Sequence, residues 1–431
     1  MSTTKNEIWE PCGSPSKLPP GRSGYGHLGS MSGRYRPTSL DELRAIVAAA
    51  PRIRVLGTGH SFSAIGESDE LVSLAGLPPD VQVDGDTVSF GGAMTYGELA
   101  LVLDEHGLAL HNLASLPHIS VAGAVATATH GSGDGNGNLA TAVAGLELVT
   151  STGDVIRAAR GDPDFDGMVV GLGALGAVTR IALDVEPAYA VGQRAYDDLP
   201  WAALEERFDE LFGSGYSVSV FTRWGASNDQ VWVKSRVTDE PESVRDDLFG
   251  AVAATADRHP ILELDADPCT PQLGRAGSWS DRLPHFRMGF TPSSGEELQS
   301  EYLLPRRHAT EAIQAVRSLA GGIQPILLVS EIRTVAADGL WMSPSHNRDS
   351  VCIHFTWRPV RAAVERMLVE IEAALAPFEA RPHWGKLFDA DAASIAPLYE
   401  RRPDFIGLAE RLDPRGAFRN TWLTTNVLGE S

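Results

Sequence analysis

The first helix of the chain is predicted by an apolar stripe that follows a capping pattern. Residues 39–42 read Ser-Leu-Asp-Glu, and a serine with a glutamate three positions later can satisfy free backbone amides at a helix start. Apolar residues then recur at helical spacing as far as Pro51, which cannot continue a helix. The pattern therefore predicts a helix that ends near Pro51. Its apolar stripe is Leu43, Ile46, Val47 and Ala50.

Short strands with alternating apolar residues follow this helix. A strand at 53–56 runs straight into a glycine-rich stretch, and hairpins are predicted at 81–90 and 143–159, where Asp-Gly or Gly-Asp turns separate two alternating runs. A second capping box, Thr95 with Glu98, predicts a helix through Leu103. Helices and strands thus mix along the chain, which is typical of an α+β fold.

The pattern changes character after Pro187, where aromatic residues cluster among longer alternating strands. Examples are YSVSVFTRW, QVWVKSRV, EIRTV and VCIHFTW, and a helix follows at 361–376. A chain of 431 residues is too long for one core and divides most naturally into domains of roughly 200 residues. We therefore expect a second domain to begin after Pro187.

Charge and cysteine content narrow the possible partners and the compartment. The formal net charge of −20 argues against nucleic acid or an anionic membrane as the main partner. Cys12, Cys269 and Cys352 are scattered without CxxC spacing, so neither a disulfide framework nor a metal site is predicted. No export signal and no run of about 18 apolar residues is found. We expect a soluble, cytoplasmic and monomeric protein.

A glycine pattern at 171–176, Gly-Leu-Gly-Ala-Leu-Gly, first suggests a nicotinamide-binding unit. That fingerprint requires a helix immediately afterwards, but residues 178–185 alternate as a strand. Two interpretations remain, a turn that packs against a cofactor and a purely structural turn.

The stretch at 54–63, Arg-Val-Leu-Gly-Thr-Gly-His-Ser-Phe-Ser, is more informative. A strand that enters a glycine-rich loop presents successive backbone N–H groups, which can hold a pyrophosphate without a positive side chain. Considered without its neighbours, His60 is explained as well by an ordinary loop histidine as by a cofactor-binding residue. Residues 119–136 are small and glycine-rich, which suits a backbone that lies close to a ligand.

Together these segments make the sequence similar to a known family. The blocks GTGHSFS, ASLPHISVAGAVATATHGSGDGNGNLA, GLGALGAVT, HFRMGFTPSSGEELQSEY, EIRTVAAD, HFTW and RPHWGK occur in the order seen in alditol oxidases, flavoproteins of the vanillyl-alcohol oxidase type. The resemblance runs from about residue 36 to the C-terminus. It implies an α+β protein with a PCMH-type FAD-binding domain of two subdomains and a sheet-based substrate domain. The implied division is an irregular lead-in at 1–35, the FAD domain at 36–187, the substrate domain at 188–385 and a C-terminal segment at 386–431 that returns to the FAD domain.

The resemblance also implies the residues that contact FAD. His60 matches the histidine that bonds covalently to the flavin, one FAD per chain, within a phosphate-binding loop. The matching cofactor residues are Gly57, Thr58, Gly59, His60, Ser61, Phe62, Ser115, Ser120, Gly123, Ala124, Val125, Ala126 and Val178.

A second set of residues matches the polyol site. By resemblance, Ser115, Glu331, Arg333, Thr356 and Lys386 hold the substrate, and His354 on the face of Thr356 assists the catalytic groups Lys386, Arg333 and Glu331. Residue alternation agrees, because it places the side chains of Glu331 and Arg333 on one strand face. Without the family context, an exposed structural ion pair and an exposed lysine would explain these residues equally well.

The implied reaction is oxidation of a terminal alditol hydroxyl to the aldose, with O₂ reduced to hydrogen peroxide. Within enzymes, the alternatives are an aldonolactone oxidase and a polyol dehydrogenase with another acceptor. From a different class, the alternative is a catalytically silent flavin-binding module. The presence of Glu331, Arg333 and Lys386 together argues against that module.

Overall fold

Helices surround several separate sheets in this chain. A computed structural model describes residues 33–237, 246–289 and 297–429, so Cys12 and most of the predicted lead-in lie outside it. Within these ranges the strands form sheets of three, five and ten strands and one two-stranded pair. The expected α+β class is confirmed.

The N-terminal region contains the two smaller sheets. Strands β1, β3 and β2 form a parallel sheet, strands β4, β5, β9, β7 and β8 form an antiparallel sheet in that order, and β6 pairs with β10. The strands are β1 Gly33–Tyr35, β2 Arg54–Val55, β3 Glu70–Val72, β4 Gln82–Asp84, β5 Thr87–Gly91, β6 Leu108–Ala109, β7 Val143–Val149, β8 Val155–Ala159, β9 Ala177–Asp184 and β10 Glu186–Pro187. The helices are α1 Leu40–Ala49, α2 Tyr96–Glu105, α3 Val121–Ala126 and α4 Phe165–Val169.

Several local predictions are confirmed in this region. Ser39 caps α1 by accepting the amide of Glu42, and Thr95 with Glu98 forms a complete capping box at α2. Both hairpins form, and the strand after the 171–176 turn is β9 rather than a helix. The reason for rejecting a nicotinamide-binding unit is therefore confirmed.

Two local features differ from expectation. The lead-in at 1–35 was expected to be irregular, but its last residues form β1, which pairs with β3 from Gly33 to Tyr35. A strand of three residues next to glycines is too short to show an alternation of apolar and polar side chains. The small-residue stretch at 119–136 contains helix α3, since alanine and valine dominate positions 121–126 and nothing there breaks a helical turn.

The C-terminal half is organised around the ten-stranded sheet. The strand order is β14-β15-β11-β13-β12-β18-β19-β17-β20, with β16 beside β11. The strands are β11 Ala190–Leu199, β12 Ser217–Thr222, β13 Asn228–Arg236, β14 Asp247–Leu248, β15 Ala251–Ala253, β16 Gly277–Ser278, β17 Leu298–Pro305, β18 Leu327–Val335, β19 Ser350–Trp357 and β20 Arg381–Pro382. The helices are α5 Trp201–Glu206, α6 Phe208–Phe212, α7 Trp279–Arg282, α8 Ala309–Ser318, α9 Ala320–Ile323, α10 Arg361–Leu375, α11 Ala392–Ile395, α12 Arg402–Leu412 and α13 Thr421–Leu423.

The two faces of this sheet differ in chemistry. One face packs under α8 and α10, where Ile313 and Leu368 meet Ile332 and Ile353 in an apolar core. The central strands carry charged residues on the other face. Helices α12 and α13 belong to the same apolar cluster as α3 and β9, so the C-terminal segment packs on the N-terminal region. The domain boundaries at 187 and 385 remain predictions.

Among the described residues, no helix is both long enough and apolar enough to cross a membrane.

Candidate active site

A row of polar side chains occupies one face of the three strands β17, β18 and β19. Strand register places Glu331 opposite His354 and His354 opposite Glu301. Residues two positions along each strand share that face. Strand alternation therefore gathers one polar set from three strands. The set is Gln299, Glu301, Glu331, Arg333, His354 and Thr356.

Arg333 is the centre of this set. Its Nη2 donates to Glu301 Oε1 at 2.5 Å, and its Nε lies 3.6 Å from Glu331 Oε2. All three side chains are at most 7% exposed, so the ion pair is buried rather than the exposed pair considered from sequence. Burial opposes charge on both carboxyls, but Arg333 holds the pKa of Glu301 and of Glu331 well below the usual value.

Lys386 reaches the same face from the end of the RPHWGK block. Its Nζ donates to Gln299 Oε1, and His354 Nε2 lies 3.2 Å from the same oxygen. A carbonyl oxygen only accepts hydrogen bonds, so His354 carries its proton on Nε2. Burial, with a further contribution from Arg333, lowers the pKa of Lys386 to about 8. Burial, with Lys386 and Arg333, lowers the pKa of His354 to about 3. The imidazole is therefore neutral.

Two histidines from other elements complete the charged centre. His130 Nε2 lies 3.2 Å from Glu301 Oε1, and the ring of His383 lies 5.9 Å from that of His130. His130, Glu301 and Cys352 bring possible metal ligands within 4.8 Å of one another, a cluster that sequence reasoning missed. Arg333 already supplies positive charge to Glu301 there, so we assign the cluster no ion.

Ser115 and Thr356 lie at the edge of this centre. The carbonyl of Ser115 accepts the amides of His285 and Phe286 at 3.2 and 3.3 Å, which ties the 111–136 block to the sheet region. Thr356 is half-buried, opposite Gln299 on β17. The structure thus places Glu331, Arg333, Thr356 and Lys386 at one face of the sheet and links the backbone of Ser115 to His285, which contacts Glu331.

The loop at 57–62 lies against the RPHWGK block. The amide of Phe62 donates to the carbonyl of Gly385 at 2.7 Å, and Lys386 Nζ lies 5.2 Å from the centre of the Phe62 ring. A Cβ on Gly385 would lie 3.5 Å from Ser61 Oγ. Burial, then the nearby charges of Lys386 and His118, lowers the pKa of His60. His60 is consequently close to the charged centre.

Small residues let this loop approach helix α3. The amide of Ser120 donates to Thr58 Oγ1 at 3.1 Å, and a Cβ on Gly57 or Gly123 would lie within 2.8 Å of Ser120 Oγ. Gly59 has φ +69°, a conformation that favours glycine. Larger residues at positions 57 and 123 would prevent the loop from lying this close to α3.

A small apolar groove lies between α3, β9 and the 171–176 turn. The turn is tied to α3 by the amide of Leu172, which donates to the carbonyl of Ala126 at 3.0 Å. Predicted cofactor residues in the lining are Val125, Ala126 and Val178, whereas Ala124 is buried in the core. Small apolar residues and glycines in this lining let a ligand lie close against the backbone. The loop, the groove and the charged face together therefore fit a flavin nucleotide.

Comparisons with known proteins agree with this geometry. Residues 32–159 match the family model for an FAD binding domain, and residues 294–426 match the model for D-arabinono-1,4-lactone oxidase. Cholesterol oxidase from B. sterolicum has a similar fold, with a TM-score of 0.73 at 14% identity over 90% of this chain and 92% of that one. Fold and site thus define an FAD-dependent oxidoreductase of the vanillyl-alcohol oxidase type.

Sequence relatives specify the family. Alditol oxidase from Streptomyces sp. is 48% identical over 396 residues, which cover 90% of this chain and 94% of that protein. L-gulono-1,4-lactone dehydrogenase from Mycobacterium tuberculosis is 28% identical and covers 91% and 95%. L-gulonolactone oxidase from Mus musculus is 26% identical and covers 90% and 93%. The chain belongs to the alditol oxidase family, which confirms the resemblance inferred from its motifs.

Proposed function

We propose that the protein oxidises the terminal hydroxyl of an open-chain alditol, such as xylitol or sorbitol, to the aldose. The main support is the buried polar row on β17, β18 and β19, combined with the likeness to a protein named alditol oxidase. A polyol offers several hydroxyl groups, and each buried donor or acceptor left unpaired costs about 1–3 kcal/mol. A dense polar row therefore suits a polyol better than a simple alcohol.

Bound FAD would accept the hydride from the carbinol carbon, and O₂ would then reoxidise it and become hydrogen peroxide. The residues proposed to hold FAD are the loop at 57–62 with Ser115, Ser120 and Val178, together with 123–126 on α3. We propose that the FAD is covalently attached through His60. Burial, then the nearby Lys386 and His118, lowers the pKa of His60 and favours its neutral imidazole, which is the form that can act as a nucleophile.

We assign the hydroxyl proton to Lys386. A lysine whose pKa is about 8 is partly neutral near pH 7 and can accept a proton, whereas Arg333 remains charged. Arg333 stabilises negative charge on the substrate oxygen as the C–H bond breaks. Glu331, Thr356 and Ser115 bind the remaining hydroxyls, and His354, held neutral, donates through Nε2 to Gln299, the partner it shares with Lys386.

A lactone substrate is the second candidate, because residues 294–426 match a lactone oxidase model. The decisive experiment measures hydrogen peroxide from the purified flavin-loaded protein with xylitol, sorbitol and L-gulono-1,4-lactone. Peroxide from the alditols at the higher kcat/KM is expected. A higher kcat/KM for the lactone, or turnover only with a non-oxygen acceptor, would replace this proposal.

A further inference from the structure

Glu331 is contacted by a buried chain of two residues that the proposed reaction does not use. Lys234 on β13 is 1% exposed, and its Nζ donates to the carbonyls of Leu283 and Pro284. The same Nζ lies 3.1 Å from His285 Nδ1, and His285 Nε2 lies 2.9 Å from Glu331 Oε1. No sequence pattern indicates these contacts, because Lys234 and His285 are 51 residues apart and His285 and Glu331 are 46 residues apart.

The direction of these hydrogen bonds follows from their chemistry. The carboxylate of Glu331 can only accept, so the ring proton of His285 lies on Nε2 and this N–H donates to Glu331. His285 Nδ1 is then left as an acceptor, and Lys234 Nζ donates to it. Burial, with a contribution from Lys234, lowers the pKa of His285 to about 4, which agrees with a neutral ring.

The ring of His285 is also fixed in place. The rings of Phe221 and Trp232 pack edge-on against it, with centroids 5.5 and 5.2 Å away. Its backbone amide donates to the carbonyl of Ser115. His285 therefore sets the distance between Ser115 and Glu331, two residues proposed to bind the substrate.

We propose that Lys234 and His285 are positioning residues that fix the orientation of the Glu331 carboxylate and so make the site selective for polyhydroxylated substrates. This inference rests on the proposed function. With Oε1 engaged by His285, Oε2 is the oxygen that faces Arg333 and meets a substrate hydroxyl. A substrate without a hydroxyl there leaves Oε2 without a hydrogen-bond donor, because Arg333 Nε is 3.6 Å away, and a buried acceptor left unpaired is costly.

The test compares substitutions at His285 and Lys234 in the flavin-loaded protein. In His285→Leu and Lys234→Met, the xylitol KM should rise by roughly tenfold or more while kcat stays within about threefold. The KM for 1,5-pentanediol, which lacks the inner hydroxyls, should change by less than about twofold. In His285→Gln, an amide N–H can still reach Glu331, so the xylitol KM should stay near that of the parent. His346→Gln changes another buried histidine beside a carboxylate, with Nε2 3.0 Å from Glu400 Oε1, and serves as the matched control.

Equal rises in KM for both substrates, or an unchanged xylitol KM in His285→Leu and Lys234→Met, would overturn the inference. If those variants yield no flavin-loaded protein, ¹⁵N-histidine NMR of the parent tests the same geometry, with His285→Gln giving the assignment. A neutral Nε2–H ring is expected, and a proton on Nδ1 would overturn the inference. Peroxide release by the parent with xylitol is measured first, so failure of the proposed function is distinguished from failure of the positioning role.

Discussion

Lys386 has a low pKa and lies near the side chains of His354 and Arg333. Its partner Gln299 also contacts His354, and Arg333 lies close enough to lower the lysine pKa further. The larger cause is burial, which only the folded structure reveals.

Replacing the lysine tests its role directly. Lys386→Met keeps most of the volume and removes the amine, so we expect the rate of flavin reduction by xylitol to fall by roughly 10²–10³. Anaerobic stopped-flow bleaching of the flavin measures this rate, and flavin content should be unchanged. Arg358→Met, at an exposed position just after β19, is the control and should match the parent. A reduction rate within about threefold of the parent would make Lys386 a binding or structural residue.

The pH profile gives an independent test of the same residue. A proton acceptor works in its neutral form, and for Lys386 that form dominates above its pKa of about 8. The reduction rate of the parent should therefore rise with pH through about 8 and then level off. The corresponding limb should vanish in Lys386→Met. A parent rate that falls with pH through this range would instead indicate that the charged lysine is the active form.

His60 supports a prediction about covalent attachment. Acid-precipitated parent protein should remain yellow, and peptide mass analysis should place the flavin on His60, because a covalent bond survives denaturation. His60→Ala should release its flavin into the supernatant, whereas His106→Ala, an exposed histidine on the same region, should not. Release of all flavin from fully loaded parent protein would show that the attachment is not covalent.

At the scale of elements, one buried arginine joins four segments around the cofactor region. Arg54 on β2 is 4% exposed and donates to the carbonyls of Ile65, Leu172, Gly173 and Phe418. These carbonyls belong to the loop after 57–62, the 171–176 turn and the C-terminal segment. Arg54 thus fixes the relative position of elements that sequence patterns describe only one at a time.

Removing this arginine should weaken the fold. Arg54→Met leaves several buried carbonyls without donors, so we expect a loss of roughly 2–4 kcal/mol in the free energy of unfolding and a lower flavin content. The thermal unfolding midpoint of the flavin-loaded protein measures the loss. Arg52→Met, two residues earlier and exposed, is the matched control and should unfold with the parent. Equal midpoints for the two variants would contradict the joining role.

Local elements could be predicted from sequence because their signals are local. The cap at Ser39, the capping box at Thr95 and both hairpins have their determinants within a few residues. Helix α3 could not be recognised, since its six residues are too few to show an apolar stripe and lie within a glycine-rich stretch. On β17, alternation within GEELQSEY would have placed Gln299 and Glu301 on one face, but nothing local indicated that this face meets Glu331.

At the scale of the whole molecule, the site depends on contacts between distant parts of the chain. The order of motifs was sufficient to identify the family and to name Glu331, Arg333 and Lys386. It could not reveal that His130 from the N-terminal region meets Glu301, because sequence spacing carries no information about packing between regions. The residues that sequence reasoning missed, such as His130, are therefore those that support Glu331, Arg333 and Lys386.

The extended shape of the polar row leads to a prediction about which hydroxyl reacts. Glu331 and Arg333 are two residues apart on one strand, roughly 6–7 Å along it, and Thr356 and Gln299 continue the row on the neighbouring strands. An open-chain polyol can lie along such a row with its inner hydroxyls bound and one end at Lys386. Oxidation should therefore occur at the terminal carbon and convert xylitol to xylose.

Product analysis checks this regiochemistry, with xylitol and sorbitol as substrates and catalase present to remove peroxide. Chromatography against aldose and ketose standards should give the aldose alone from each substrate. The inner hydroxyls are the groups proposed to contact Glu331, Thr356 and Ser115, and a bound hydroxyl held away from Lys386 cannot lose its proton there. Xylulose or fructose as the main product would mean that the substrate lies across the row rather than along it, and the assignment of Lys386 to the terminal hydroxyl would then be wrong.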